Sequence, residues 1–129
     1  MEKFIMTKLH IIQNKSDSEY YFEERCFITE WLNSPSDEEV SVAKARVEPG
    51  VTTRLHRLKD VTERYIILKG KGLVEVGELP PTKVGSGDVV LIPPGIPQRI
   101  TNIADSDLIF LAVCTPRFTK DAYEDIYST

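Results

Sequence analysis

The 129-residue chain is short of cysteine, histidine and tryptophan, with two, two and one of each. Cys26 and Cys114 stand far apart and form no C-x-x-C pair. That argues against a disulfide scaffold and for two reduced, semi-buried structural thiols in a cytoplasmic protein. No apolar run approaches the roughly 18 residues of a membrane span. The opening MEKFIMTKLHII breaks its apolar stretches with lysines and lacks a small-residue cleavage site, so it does not read as a signal peptide. Basic residues neither predominate nor cluster: 16 Lys and Arg face 20 Asp and Glu, for a net charge of -4. A chain without a Lys/Arg stripe is a poor partner for nucleic acid or for an anionic membrane surface. Internal repeats and low-complexity tracts are absent. No serine sits in a nucleophile-elbow context, and the G-K-G at 70–72 has no following helix to make a phosphate cradle.

Apolar residues make up 41% of the chain and charged residues 28%, the balance of one ordinary globular domain over 1–129. The punctuation is that of a β protein. CFITEWL (26–32) is β-branched and aromatic and stops at NSPSDEE; VSVAKARVE (40–48) alternates and halts at Pro49-Gly50. TERYIIL (62–68) and LVEVG (73–77) are bracketed by glycine-rich turns as a hairpin. DVVLI (88–92) runs into Pro93-Pro94-Gly95, QRITNI (98–103) alternates, and LIFLAVCT (108–115) is apolar enough to be buried on both faces. Short strands at this spacing predict an all-β antiparallel sandwich or barrel. KFIMTKLHII supplies an extra N-terminal strand. The tail predicts a short C-terminal helix, with Thr119 as N-cap, Asp121 in its first turn, and Tyr123, Ile126 and Tyr127 on one face.

Two stretches carry a resemblance. Gly50, His56, Leu58, Glu63 and Gly70 fall at the spacing of the first cupin motif, G-x5-H-x-H-x(3,4)-E-x6-G, with leucine in place of the second histidine. Gly87, Pro93, Gly95, Gln98 and Asn102 fall at the spacing of the second, G-x5-P-x-G-x2-H-x3-N, with glutamine in place of the histidine. The two motifs, 50–70 and 87–102, resemble those of small single-domain cupins. The resemblance implies a jelly-roll β-barrel, commonly a homodimer, with a small-molecule ligand or substrate in the barrel. It also implies a divalent-metal site (Fe, Mn, Ni or Zn) whose ligands here would be His56, Glu63 and Gln98, with Leu58 contributing nothing. One imidazole, one carboxylate and one amide make a weak set for a transition metal, so the site also reads as metal-free.

Alternation along the strand that holds Glu63 turns Tyr65 and Ile67 inward with it, and Arg64, Ile66 and Leu68 outward. An outward Ile66 and Leu68 call for cover, from a partner subunit or the N-terminal segment. Gln98 inward implies Ile100 inward and Arg99 outward. Glu63 is expected to pair with an arginine such as Arg54 or Arg99 if it is structural, since buried carboxylates are seldom left alone. Cys114 and Thr115 lie near the pocket, with core packing the favoured role, and His10 reads as a surface residue. Three functions stay open: a metal-dependent enzyme, a metal-free acid/base isomerase or epimerase working through His56, Glu63 and Tyr65, and a non-catalytic binding or sensing module.

Overall fold

A computed structural model describes residues 9, 11–14 and 18–126. Its strands are β1 (Tyr20–Phe22), β2 (Cys26–Leu32), β3 (Ser41–Val47), β4 (His56–Leu58), β5 (Thr62–Lys69), β6 (Lys71–Val76), β7 (Thr82–Gly85), β8 (Val89–Ile92), β9 (Gln98–Asn102), β10 (Leu108–Thr115) and β11 (Tyr123–Asp125). They form two antiparallel sheets, one of six strands in the order β1-β2-β3-β10-β5-β8 and one of five in the order β11-β4-β9-β6-β7. The sheets face each other as a jelly-roll barrel, as the alternating patterns require. No helix among the described residues is long and apolar enough to cross a membrane.

The interior is filled by every second residue. On β5, Glu63, Tyr65 and Ile67 are buried while Arg64 and Ile66 are only partly covered and Leu68 is exposed. On β9, Gln98, Ile100 and Asn102 are buried between half-buried Arg99 and Thr101. Tyr65, Ile67, Val90, Ile92, Ile100, Leu108 and Phe110 lead the main core.

The motif positions do structural work that a side chain elsewhere would not. Gly70 has φ +94°, and a Cβ there would lie 2.8 Å from the Asp107 carbonyl oxygen, so this turn needs a residue without one. Asn102 is buried. Its Nδ2 donates to the carbonyls of Val47 (2.9 Å) and Ser106 (2.8 Å), and its Oδ1 accepts the Ala104 N–H (2.9 Å). One amide therefore fastens the end of β9 to β3 and to the turn before β10.

The C-terminal helix does not form. Thr119 precedes a single 3-10 turn, Lys120–Ala122, and the chain then extends as β11, pairing Tyr123 with Leu58 and Asp125 with His56. The pairing, the Tyr123 ring on His56 and an Arg54–Asp125 ion pair (2.8 Å) outweigh a one-face helical pattern only a few residues long. Tyr127 lies outside the described residues, as do His10 and most of the expected strand KFIMTKLHII, whose described positions, Leu9, Ile11 and Ile12, are not in a strand. The N-terminal strand that is described is β1. Strands β4, β7 and β11 are short and stand outside the strands expected from the sequence.

Candidate functional site

A cavity of about 60 Å³ opens over β2, β3, β10 and β5 of the six-stranded sheet, and no residue of the five-stranded sheet, His56 and Gln98 included, lines it. Its floor is made of small side chains, Ser41, Ala43, Ala112 and Cys114. Glu63 from β5 stands on one wall. On the other stands Glu24, from the turn between β1 and β2, three sheet positions away from β5. The neck is formed by Tyr20, Phe22, Glu30, Asn33 and Phe118, which also line a broader groove outside.

His56 and Gln98 come from the opposite sheet, where they are backbone partners on β4 and β9. Gln98 Nε2 donates to Glu63 Oε1 at 2.6 Å. This bond crosses the barrel from one sheet to the other. The imidazole lies against the second carboxyl, with His56 Nε2 3.6 Å from Glu24 Oε2. His56 Nδ1 lies 2.8 Å from the Arg54 carbonyl, which accepts only, so Nδ1 carries the proton and Nε2 offers a lone pair. Tyr123 stacks on the other side of the ring, 5.1 Å between centroids. Leu58, inward on β4 two residues beyond His56, packs with Val61, Cys114 and Ala122 and gives this corner an apolar wall.

Burial sets the electrostatics. It raises Glu24 to about 8. It raises Glu63 to about 7, with Glu24 pushing the same way, while His56, the Gln98 amide and Cys114 pull back. It lowers His56, against the pull of Glu63, the Arg54 carbonyl and Asp125. At neutral pH, then, the imidazole is neutral, Glu24 holds its proton and Glu63 titrates.

The structure thus brings together His56, Glu63 and Gln98, and adds Glu24. Tyr65 is buried as expected but sits in the main core, its ring 4.4 Å from Phe110, and does not line the cavity. Arg54 and Arg99 are engaged with Asp125 and Glu75, and it is the Gln98 amide that meets Glu63. Cys114 lines the cavity floor as well as the smaller core cluster, whereas Thr115 accepts from Arg64 Nη1 at 2.7 Å. Glu24 had no sequence signal beyond an acidic pair in a turn. The turn is held by Arg25 at φ +75°, a conformation uncommon outside glycine, and by an Arg54 N–H bond to the Glu24 carbonyl (3.0 Å).

The donor set does not suit a metal ion as arranged. Among the described residues no three His, Cys, Asp or Glu side chains converge to hold one, and Gln98 turns its N–H, not its carbonyl oxygen, to Glu63.

Residues 43–114 match the family model described as Cupin domain. Over 84 residues the chain is 34% identical to the uncharacterized protein MJ1618 of Methanocaldococcus jannaschii, covering 65% of this chain and 66% of that one, just under two thirds of its length. Among solved structures, KdgF from Halomonas sp. superposes with a TM-score of 0.75 at 13% identity, over 88% of this chain and 98% of its own. Oxalate decarboxylase from Bacillus subtilis does so with a TM-score of 0.76 at 21% identity, over 93% of this chain and 34% of its own. At these identities both are likenesses of fold.

Proposed function

This chain belongs to the cupin family, and we propose that its barrel cavity binds a small organic molecule and catalyses proton transfer on it, with Glu63 as the general base. The observation that carries this reading is a single carboxyl, Glu63, that faces the cavity, is held by Gln98 at 2.6 Å, and titrates at about 7. A general base works best with its pKa near the working pH, where it is both available and strong enough. Two carboxyls with different proton affinities in one pocket also divide the labour of acid and base. Ionised Glu63 takes a proton from the substrate, from carbon next to a carbonyl or from a hydroxyl. Glu24, protonated and on the far wall, delivers a proton to the oxygen or carbon that gains the electron pair. Each turnover leaves Glu63 with one proton more and Glu24 with one fewer; Glu63 gives its proton to water and Glu24 takes one from water, and the neutral His56, with Nε2 3.6 Å away, accepts a hydrogen bond from the reprotonated Glu24. The reaction class is isomerisation, epimerisation or elimination. Tyr65 has no part in it.

The test is proton exchange. A panel of hydroxy-carbonyl compounds is incubated with the protein in D2O, and deuterium incorporation is followed by proton NMR. Wild-type protein is expected to exchange at least one compound, and Glu63→Gln to lose about 100-fold or more of that rate. A variant that exchanges as fast as wild type would remove Glu63 from the chemistry.

A further inference from the structure

We infer that Ser41 and Cys114 are positioning residues for Glu63: a hydrogen-bonded row laid across three strands, from Ser41 through Cys114 to Glu63, orients the carboxylate that takes the proton. The inference rests on the reading of Glu63 given above and adds the groups that prepare it.

The row follows the register of the sheet. Ser41 on β3 is the partner of Cys114 on β10, and Cys114 is the partner of Glu63 on β5. All three are buried, and all three line the cavity. Side chains directly opposite on one face of an antiparallel pair stand about 5 Å apart at Cβ, so each is within reach of the next. The row two residues further along is different. There Ala43, Ala112 and Tyr65 are partners, and the floor shows two methyl groups. The polar side chains of the floor are thus confined to the row that ends on the carboxyl. Cys114 also belongs to the apolar cluster of Leu58, Val61 and Ala122, which walls the thiol in.

Donors and acceptors run one way along the row. The Phe118 backbone N–H donates to Ser41 Oγ at 2.9 Å. That leaves the hydroxyl proton to point at the Cys114 sulfur, where it favours negative charge. Burial pushes the thiol far up, so the sulfur keeps its own proton at any working pH. The thiol presents that proton to the strongest acceptor in reach, the Glu63 carboxylate, and stabilises its ionised form. From the opposite sheet, Gln98 Nε2 meets Glu63 Oε1 at 2.6 Å. Glu63 is therefore gripped from two directions, by an amide across the barrel and by a thiol along its own sheet. The second grip fixes the rotation of the carboxylate that the first leaves open.

The other titratable groups around Glu63 are His56 from β4 and Glu24 from the turn between β1 and β2. Cys26 and Tyr65 stay uncharged, β8 contributes Ile92, and Arg64 acts on Cys114 from the outer face.

The S–H stretching band tests the row without any substrate. The infrared difference between wild type and Cys114→Ser isolates the Cys114 band, which should move to lower frequency as Glu63 ionises between about pH 5 and about pH 9. In Glu63→Gln, measured the same way, the shift should vanish although Glu24 still titrates. Deuterium exchange reads the same contact through the chemistry. Cys114→Ala should move the pH midpoint of exchange upward by about half a unit to one unit, lowering the rate on the acid side about three- to tenfold. Cys114→Ser, which keeps a donor at that position, should restore most of the loss, and Ser41→Ala should shift the midpoint the same way by less. A merely structural floor residue would lower the rate at every pH and leave the midpoint in place. A Cys114 band that ignores pH, or a midpoint unmoved in Cys114→Ala, overturns the inference and leaves Glu63 standing as the base. If wild type exchanges none of the compounds, it is the general base that fails, and the band still decides for or against the row.

Discussion

Replacing Glu63 by glutamine should make the protein more stable in mild alkali and leave it little changed in mild acid. The native pKa of Glu63 is raised from 4.5 to about 7, chiefly by burial. Between those values the native state holds a proton that the unfolded chain has lost, so stability falls as pH rises. The stability linked to this carboxyl is complete below about 4.5 and is lost as pH climbs through about 7. With 1.36 kcal/mol for each pH step between the two values, the loss at about pH 8 is about 3 kcal/mol. Glu24, raised to about 8, adds a loss in the same direction over a window reaching higher. His56, lowered by burial, works the other way: its stability is present above 6.5 and lost as pH falls through its lower native value. Comparing Glu63→Gln with wild type removes the part of both contributions that burial sets; their coupling to the Glu63 charge goes with the substitution and belongs to the measured difference. Glutamine keeps the carbonyl that accepts from Gln98 Nε2, so the bond across the barrel survives without the ionisation cost. Urea unfolding followed by the fluorescence of Trp31 at about pH 5 and about pH 8 measures the difference. The variant should gain about 3 kcal/mol on wild type between the two conditions. Parallel curves for the two proteins would refute the burial of an ionisable Glu63 in a low-dielectric cavity.

Leu58→His combined with Gln98→His should raise affinity for nickel or zinc by orders of magnitude, because positions 56, 58 and 98 are all buried on the inner faces of β4 and β9; elemental analysis after dialysis reads it. No gain would mean that these side chains do not converge. The outer face of the six-stranded sheet exposes Val89 (60%), Leu91 (61%) and Leu68 (43%) beside half-buried Ile66, and this apolar patch favours a homodimer. Light scattering should show a dimer for wild type and a monomer for Leu91→Arg, and a monomeric wild type would refute it.

The parts of this fold legible in the sequence are those enforced by local sterics and by alternation. Gly70 and Asn102 sit where only their chemistry fits, at a fixed offset from the strands they end, so spacing alone locates them. The inward set on β5 and β9 follows from a period of two, and it placed Glu63 and Gln98 in the interior without any contact being known. What escaped is what long-range packing decides. Strands β4 and β11 are three residues each and hold their shape by pairing with each other, which no window of sequence displays. Tyr65 has the right parity but points into the core, since parity names a face and not a position along it. Glu24 lies in a turn, and only the folded chain carries it to within 3.6 Å of His56.

The Gln98–Glu63 bond joins a strand of one sheet to a strand of the other through the middle of the barrel. It is a cross-brace, and one of its two ends changes charge near neutrality. With Glu63 ionised the brace is a charge-assisted hydrogen bond; with Glu63 protonated it is a neutral one of roughly half the strength. The grip between the two halves of the barrel is therefore set by the same proton that the site would pass to a substrate. Each proton transfer would tighten or slacken the wall that encloses it.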